Sequence, residues 1–340
     1  MIEFPYHGSG PYCYSSCLAM MMGADAPPIG IVETATGSAF GMQLVGGTLP
    51  FFDAFGWNPE IGVDSALAAF GWAADTFSGG DAGAALDRLA ALLKHGPVMV
   101  GPVEMGYFSH QPGMAGPIGA DHYAVVLEMA WGTADDHVVL HDPQGYPYAR
   151  LPLADFTSAW SARTVDYGAP FTVRANFRRT AHVRAEEAVA AAIPGAVDRL
   201  SGNPAPAVPA PVPGDPAPGD PAPAPGAVDP DPAPPVPPGT LGNGDAALAL
   251  ADLLEAGGAD GLRDHLVHFA VRVGARRLAD AAACLRAAGR PEAAAVMTGQ
   301  ARLVGSLQHP LATGDFGTAA TALRALAPTY DRLRDALRSR

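Results

Sequence analysis

The sequence is poor in cysteine, and this shortage excludes several classes of protein. Its 340 residues include three cysteines, Cys13, Cys17 and Cys284. So small and odd a number does not fit the disulfide framework of a small secreted domain. No second Cys/His pair follows Cys13 and Cys17 at the spacing of a zinc site, so we expect neither a metal nor another cofactor.

Charged residues are also scarce, and most of them are acidic. They make up 16% of the chain, and the formal net charge is -13. This balance argues against non-specific nucleic-acid binding. No run of 18 or more apolar residues indicates a membrane span, and the first residues, MIEFPYHG, lack the basic segment of a signal peptide. We therefore expect a cytoplasmic protein that binds neither nucleic acid nor membrane.

Proline is abundant, and nearly half of it lies in one segment. Residues 204–239 hold 16 of the 34 prolines. Proline fixes φ and lacks the backbone donor, so this segment is predicted to form neither helix nor sheet. We interpret it as a proline-rich linker of polyproline character, with a docking site for a proline-reading module as the alternative.

The segment before the linker combines helical and strand patterns. Helices are predicted at 13–22, 81–96 and 152–160, the first ending before Gly23 and the second capped by Asp81. Short apolar runs at 97–104, 122–130, 136–142 and 170–177 are typical of strands. Helices followed by antiparallel strands predict an α+β domain over residues 1–180.

The rest of the chain has a helical pattern on both sides of the linker. Residues 181–203 are predicted to form a connecting helix. Residues 240–340 show a 3.6-residue apolar periodicity with Gly or Pro at the breaks. We expect an all-α bundle of four or five helices there.

Cys13 is the candidate nucleophile. It lies in HGSGPYCYSSCLAMMMG, after a loop rich in glycine and at the start of an apolar helix. The free amides and the dipole of a helix N-terminus favour a thiolate. Cys17 lies one turn deeper in the same helix and is the predicted structural cysteine.

His122 and Asp142 are the candidate partners of this thiol. His122 begins the strand pattern HYAVVLEMA, and Asp142 ends the next one, in VVLHDPQG. If the two strands form an antiparallel hairpin, the start of one lies beside the end of the other. Asp142 would then orient the His122 imidazole, which would act as the base for Cys13.

This order of residues resembles the papain-like fold of bacteriocin-leader-processing (C39-like) cysteine peptidases. CYSSCLAM is similar to their motif, in which the nucleophile begins a helix and a second cysteine follows four residues later. HYAVVLEMA, VVLHDPQG and FTSAW resemble their His strand, Asp-Pro turn and following helix. Those peptidases usually carry Gln six residues before the cysteine, where this chain has His7.

The chain resembles the butirosin biosynthesis protein H family more closely. HGSGPYC is similar to that family's motif, with His six residues before the cysteine. The stretch HGPVMVGPVEMGYFSHQPGM followed by ADHYAVVLEM resembles its central strand and the segment ahead of its catalytic His. The resemblance covers residues 1–180.

The family resemblance implies a cysteine-dependent acyltransferase of natural-product biosynthesis. Such an enzyme moves an acyl group from a carrier-protein thioester, through acyl-Cys13, to the amine of a small acceptor. His122 would relay protons, and His7 with the Cys13 amide would donate to the oxyanion. A cysteine peptidase or amidohydrolase is the first alternative, and a non-catalytic binding or scaffold protein is the second. His7 in place of Gln favours the acyltransferase.

The resemblance also points to substrate contacts after the strand at 97–104. Glu104 is expected to hold the acceptor amine, and Tyr107, His110 and Tyr123 to line the same site. The alternative is that Glu104 caps a strand or pairs with an arginine. The basic stretch 172–184 is a possible dock for the carrier protein, or else a solvated strand edge and loop.

Overall fold

The computed structural model describes residues 6–203, 236–257 and 261–339. The predicted proline-rich linker falls outside the described residues, except for its last four positions. The described chain divides into two compact units. The first unit contains residues 6–29 and 71–182, and the second contains 30–70, 183–203 and the described residues from 236 onward.

The helices and strands follow one another in mixed order up to residue 203 and are almost all helical afterwards. The helices are α1 Cys13–Met22, α2 Ile29–Ala35, α3 Pro59–Ala69, α4 Ala82–Leu93, α5 Leu153–Trp160, α6 Ala185–Leu200, α7 Asn243–Glu255, α8 Arg263–His265, α9 Val271–Ala287, α10 Pro291–Ser306, α11 Gln308–Thr313, α12 Phe316–Leu326 and α13 Thr329–Arg338. The strands are β1 Gln43–Val45, β2 Leu49–Phe51, β3 Trp72–Phe77, β4 Val98–Glu104, β5 Asp121–Ala130, β6 His137–Asp142, β7 Tyr146–Pro152, β8 Val173–Arg179 and β9 Leu241–Gly242.

A six-stranded antiparallel sheet forms the centre of the first unit. Its strand order is β3-β8-β4-β5-β6-β7. One face of β5, through Ala124 and Val126, joins the core that α4 and α5 cover. Tyr123, the residue before Ala124 in β5, packs against Tyr14 of α1. Because helices cover both faces, all seven residues of β4 are buried. This arrangement confirms the predicted α+β class.

The second unit combines a three-stranded antiparallel sheet with helices. The sheet has the order β2-β1-β9, and Leu44 of β1 pairs with Leu241 of β9. Phe40, Met42, Leu44 and Phe52 are buried in the same core as side chains of α7, α9, α10 and α12.

Residues 30–70 therefore belong with the helical unit, whereas the sequence analysis assigned them to the front domain. The reason is that β1 and β2 have three residues each, too few for a periodic pattern to show which core they join.

Local signals placed most elements of the first unit correctly, and two strands were missed. Asp81 Oδ1 accepts from the Ala84 amide at 2.9 Å and caps α4, and Gly23 ends α1 with a φ of 63°. The missed strands, β3 and β7, lie at the two edges of the sheet and are only partly buried, so their apolar signal is weak. Among the described residues, no helix combines the length and apolarity needed to cross a membrane.

Candidate active site

Cys13 is the first residue of α1, as the sequence pattern predicted. Tyr12 occupies the N-cap without a capping bond from its side chain. The helix dipole therefore acts on the Cys13 sulfur, which is half-buried. Cys17, one turn later, is fully buried. Burial, and next the charges of Cys13 and Asp142, raise the pKa of Cys17 well above its ordinary value, so Cys17 remains a neutral thiol.

His122 connects Cys13 to Asp142. Its Nε2 lies 2.8 Å from Asp142 Oδ1, and the ring also hydrogen-bonds the Cys13 thiol. Nδ1 is thus the ring nitrogen left for the sulfur. Burial lowers the pKa of His122, but the Asp142 carboxylate and then Cys13 raise it, to about 10 overall. The protonated form of His122, an imidazolium, is therefore favoured at neutral pH.

The hairpin brings His122 and Asp142 together diagonally rather than face to face. The ladder between β5 and β6 pairs Val125 with His141, so Asp142 lies one residue beyond the last pair. His122 itself pairs with Val103 of β4. Diagonal neighbours in a ladder are within reach of long side chains, and here a ring closes the gap.

Asp142 is buried, and four donors hold its carboxylate. Oδ1 accepts from His122 and from the Gln144 amide, which is 2.8 Å away. Oδ2 accepts from His110 Nε2 at 2.8 Å and from Gln111 Nε2 at 2.7 Å. Burial alone would raise the pKa of this carboxyl, but the charge of His122 and these hydrogen bonds hold it far below its usual range. Asp142 is therefore a carboxylate at neutral pH.

His110 belongs to this network, so its expected role in lining the substrate site is not supported. Gln111 and Gln144 were missed altogether. A local signal for Gln144 exists, because an Asp in a turn commonly accepts from the amide two residues later. His110 and Gln111 follow Phe108 and Ser109 in a loop, and no spacing rule links that loop to Asp142.

Glu104 organises a loop, which contradicts its expected contact with the acceptor amine. Its carboxylate accepts from the amides of Gly106 at 3.0 Å, Ile118 at 3.1 Å and Gly119 at 2.9 Å, and from the Thr164 hydroxyl. Both oxygens are occupied and the side chain is buried. Glu104 thus joins the two ends of the 105–119 loop. This role is similar to the alternative that the sequence offered, in which Glu104 caps a strand.

The remaining two predicted contacts, Tyr123 and Tyr107, differ in their surroundings. Tyr123 is fully buried, with its ring 6.0 Å from that of Tyr14, so it is a core residue and not a substrate contact. Tyr107 is half-buried and, with Glu104 and Thr164, lines a surface cavity of about 660 Å³. Cys13, His122 and Asp142 do not line that cavity.

His7 lies half-buried in the segment that leads to α1. This segment is held against the turn after β6, because the Tyr6 hydroxyl donates to the Asp142 carbonyl at 2.9 Å and the Ser9 amide donates to the Pro143 carbonyl at 2.8 Å. His7 therefore lies between two residues, Tyr6 and Ser9, that are hydrogen-bonded to the backbone of Asp142 and Pro143. Its role as an oxyanion donor stays a prediction.

The basic stretch proposed as a carrier dock is largely neutralised within the first unit. Arg178 pairs with Asp75 at 2.9 Å, and Arg179 pairs with Asp25 at 3.3 Å and lies over the Trp72 ring. Arg174 is buried. Much of the positive charge of this stretch is thus balanced within the unit, and its role as a dock for the carrier protein stays a prediction.

The three cysteines are unpaired. Within residues 6–203, 236–257 and 261–339, no three His, Cys, Asp or Glu side chains are grouped in a way that could hold a metal ion.

Comparison with known proteins finds similarity to one protein family and to one curated protein. Residues 237–338 match the family described as the YobF C-terminal domain. The chain is 28% identical to YobF of Bacillus subtilis (strain 168) over 165 residues, which is 48% of this chain. The alignment spans about half the length of that curated relative, 52%. The name of that relative assigns it no activity.

Proposed function

We propose that the protein is a cysteine-dependent acyltransferase in which Cys13 carries the acyl group. The observation that supports this proposal is the hydrogen-bonded series from Cys13 through His122 to the buried, ionised Asp142. A thiol at a helix start, a histidine that bonds to it and a carboxylate on the other ring nitrogen are the parts that nucleophilic catalysis requires.

In the first step the Cys13 thiolate attacks the carbonyl carbon of a thioester. The new bond joins the Cys13 sulfur to the acyl carbon, and the bond from that carbon to the donor's sulfur breaks. The departing thiolate takes the proton from the His122 imidazolium. The Cys13 amide and His7 are the proposed donors to the oxyanion.

In the second step an amine attacks acyl-Cys13. His122, now neutral, takes the amine proton, and Cys13 leaves as the thiolate when the amide forms. The charge of Asp142 favours the imidazolium that each cycle restores. The site thus returns to its starting protonation state.

The donor and acceptor classes rest on the resemblance to the butirosin biosynthesis protein H family. The donor is a carrier-protein thioester and the acceptor is a small amine. The reaction takes place in the cytoplasm. The alternative is hydrolysis, as in a cysteine peptidase or amidohydrolase, with water in place of the amine. His7 at the position where the related peptidases carry Gln favours transfer. A non-catalytic role would leave the Cys13 network unexplained.

An acyl N-acetylcysteamine thioester, a small mimic of a carrier-bound acyl group, tests the proposal. Intact-mass measurement should show one acyl adduct on the wild-type protein, and peptide mapping should place it on Cys13. Cys13→Ala should abolish the adduct, and the matched control Cys17→Ala should retain it. Absence of an adduct on wild type, or an adduct on Cys284 instead, would refute the proposed nucleophile.

A second measurement separates transfer from hydrolysis. The acylated protein is exchanged into buffer with and without a primary amine such as glycinamide. Faster deacylation with the amine, giving the amide, supports the transferase. Deacylation at one rate to the free acid under both conditions supports the hydrolase.

A further inference from the structure

His110 and Gln111 are consecutive residues of one loop, and both bond the same oxygen of Asp142. Their Nε2 atoms lie 2.8 and 2.7 Å from Asp142 Oδ2. We infer that this pair positions the candidate catalytic residues: it fixes the plane of the Asp142 carboxylate and, through it, the direction in which His122 faces Cys13. This inference rests on the proposed role of Cys13, but its geometry involves His122 and Asp142 alone.

The argument begins with the freedom of a carboxylate. Rotation about the last side-chain bond of Asp is broad and roughly two-fold, so a carboxylate held at one oxygen still tilts about that contact. The Oδ1 donors are His122 and the Gln144 amide. Adding two donors at Oδ2 fixes the plane at both ends. The His122 ring then has one orientation in which Nε2 donates to Oδ1 while Nδ1 faces the sulfur.

The surroundings of His110 indicate that its bond to Asp142 is the reason for a histidine at this position. Its side chain is 9% exposed, and its neighbours include the rings of Phe108 and Tyr146, with ring centroids 5.3 and 5.4 Å away. Its Nδ1 is buried, and the described residues give it no hydrogen-bond partner. An unsatisfied buried polar atom is destabilising, so packing alone would favour an apolar ring here.

Glu104 holds the loop that carries the pair. By bonding Gly106 near one end and Ile118 and Gly119 at the other, it closes the 105–119 loop at its base. His110 and Gln111 lie between these anchors. Their donors are thus presented by an anchored loop, which is what positioning within a few tenths of an ångström requires.

The test uses two substitutions at one position. His110→Phe keeps the ring shape and removes the donor, whereas His110→Gln keeps an Nε2 donor and removes the ring. The matched control is His95→Phe, an exposed histidine in the same unit. The rate of Cys13 alkylation by iodoacetamide is followed by fragment-ion mass spectrometry, which separates Cys13 from Cys17. Thermal unfolding is measured for each variant.

We expect His110→Phe to lower the rate of Cys13 alkylation about tenfold. A tenfold change corresponds to about 1.4 kcal/mol, which is close to the contribution of one hydrogen bond to a charged group. His110→Gln should recover most of the rate, and His95→Phe should leave it unchanged. A rate in His110→Phe equal to wild type, or a His110→Gln variant as slow as His110→Phe, overturns the inference. A purely structural role would lower thermal stability without rescue by Gln.

An NMR measurement separates this inference from the proposed function. The Nε2 proton of His122, bonded to a carboxylate, should give a low-field imidazole signal in wild type. That signal should shift or broaden in His110→Phe and persist in His110→Gln. If the signal responds this way but wild-type Cys13 reacts no faster than a free thiol, positioning stands and the proposed nucleophile fails. A signal unchanged in His110→Phe overturns the inference directly.

Discussion

Replacing Asp142 by Asn removes one charge from the centre of the site while keeping the side chain's shape. In the wild-type protein Asp142 is the main reason that the pKa of His122 is raised to about 10 despite burial. Without that charge burial dominates, and the pKa of His122 should fall below its ordinary 6.5. His122 would then be neutral at pH 7, and Cys13 would lose the cation that lies beside it.

The expected decrease in the alkylation rate follows from the fraction of the thiol that is ionised. A thiol with an ordinary pKa of about 8.5 is about 3% thiolate at pH 7. The proposed mechanism requires Cys13 to react as a thiolate in the wild-type protein. On that proposal, alkylation of Asp142→Asn should be slower by about 30-fold, reduced somewhat because more basic thiolates are better nucleophiles. The loss should diminish as the pH rises toward 9.

The assay is the iodoacetamide alkylation rate of Cys13 between pH 5 and pH 9. Asp87→Asn, an exposed substitution on α4, is the matched control and should reproduce the wild-type profile. The reasoning is refuted if Asp142→Asn alkylates at the wild-type rate at pH 7. It is also refuted if the rate is low but independent of pH, because a misplaced ring and not a lost charge would then be the cause.

Three further predictions concern the pH dependence of stability, the association of the two ends of the chain and the 105–119 loop. Because the pKa of His122 is raised to about 10, its ion pair with Asp142 should stabilise the fold fully below pH about 6.5, and this stabilisation should be lost as the pH rises through about 10. The unfolding temperature should therefore fall between these two pH values, and Asp142→Asn should make it less dependent on pH. Cutting the chain at a protease site inserted after Asp220 should give two fragments that co-elute under native conditions, because Leu44 and Phe52 are buried among the C-terminal helices; separate elution of two folded fragments would contradict this. Glu104→Gln should slow Cys13 alkylation severalfold by loosening the 105–119 loop, and limited proteolysis within that loop should increase in step; faster cleavage without slower alkylation would show that the loop does not support the site.

Local sequence determined the elements that carry Cys13, His122 and Asp142. A glycine-rich loop before an apolar run begins α1 at Cys13, and two apolar runs separated by a polar turn form β5 and β6. These signals are readable because each depends on neighbours within a few residues, such as the positive φ that Gly23 adopts. The α+β class follows from the order of such elements.

Tertiary structure alone decided what surrounds those three residues. His110 lies 32 positions before Asp142, and their contact depends on the path of a loop that no periodicity describes. The sequence left two roles open for Glu104, a substrate contact and a strand-end cap, and its carboxylate bonds donors up to 60 positions away along the chain. Segment 30–70 joined the helical unit because pairing of β1 with β9 and burial of Phe52 are contacts between distant parts of the chain. Such contacts form where the shapes and hydrogen-bonding groups of distant segments match in three dimensions. A local sequence pattern does not show which distant segments will match.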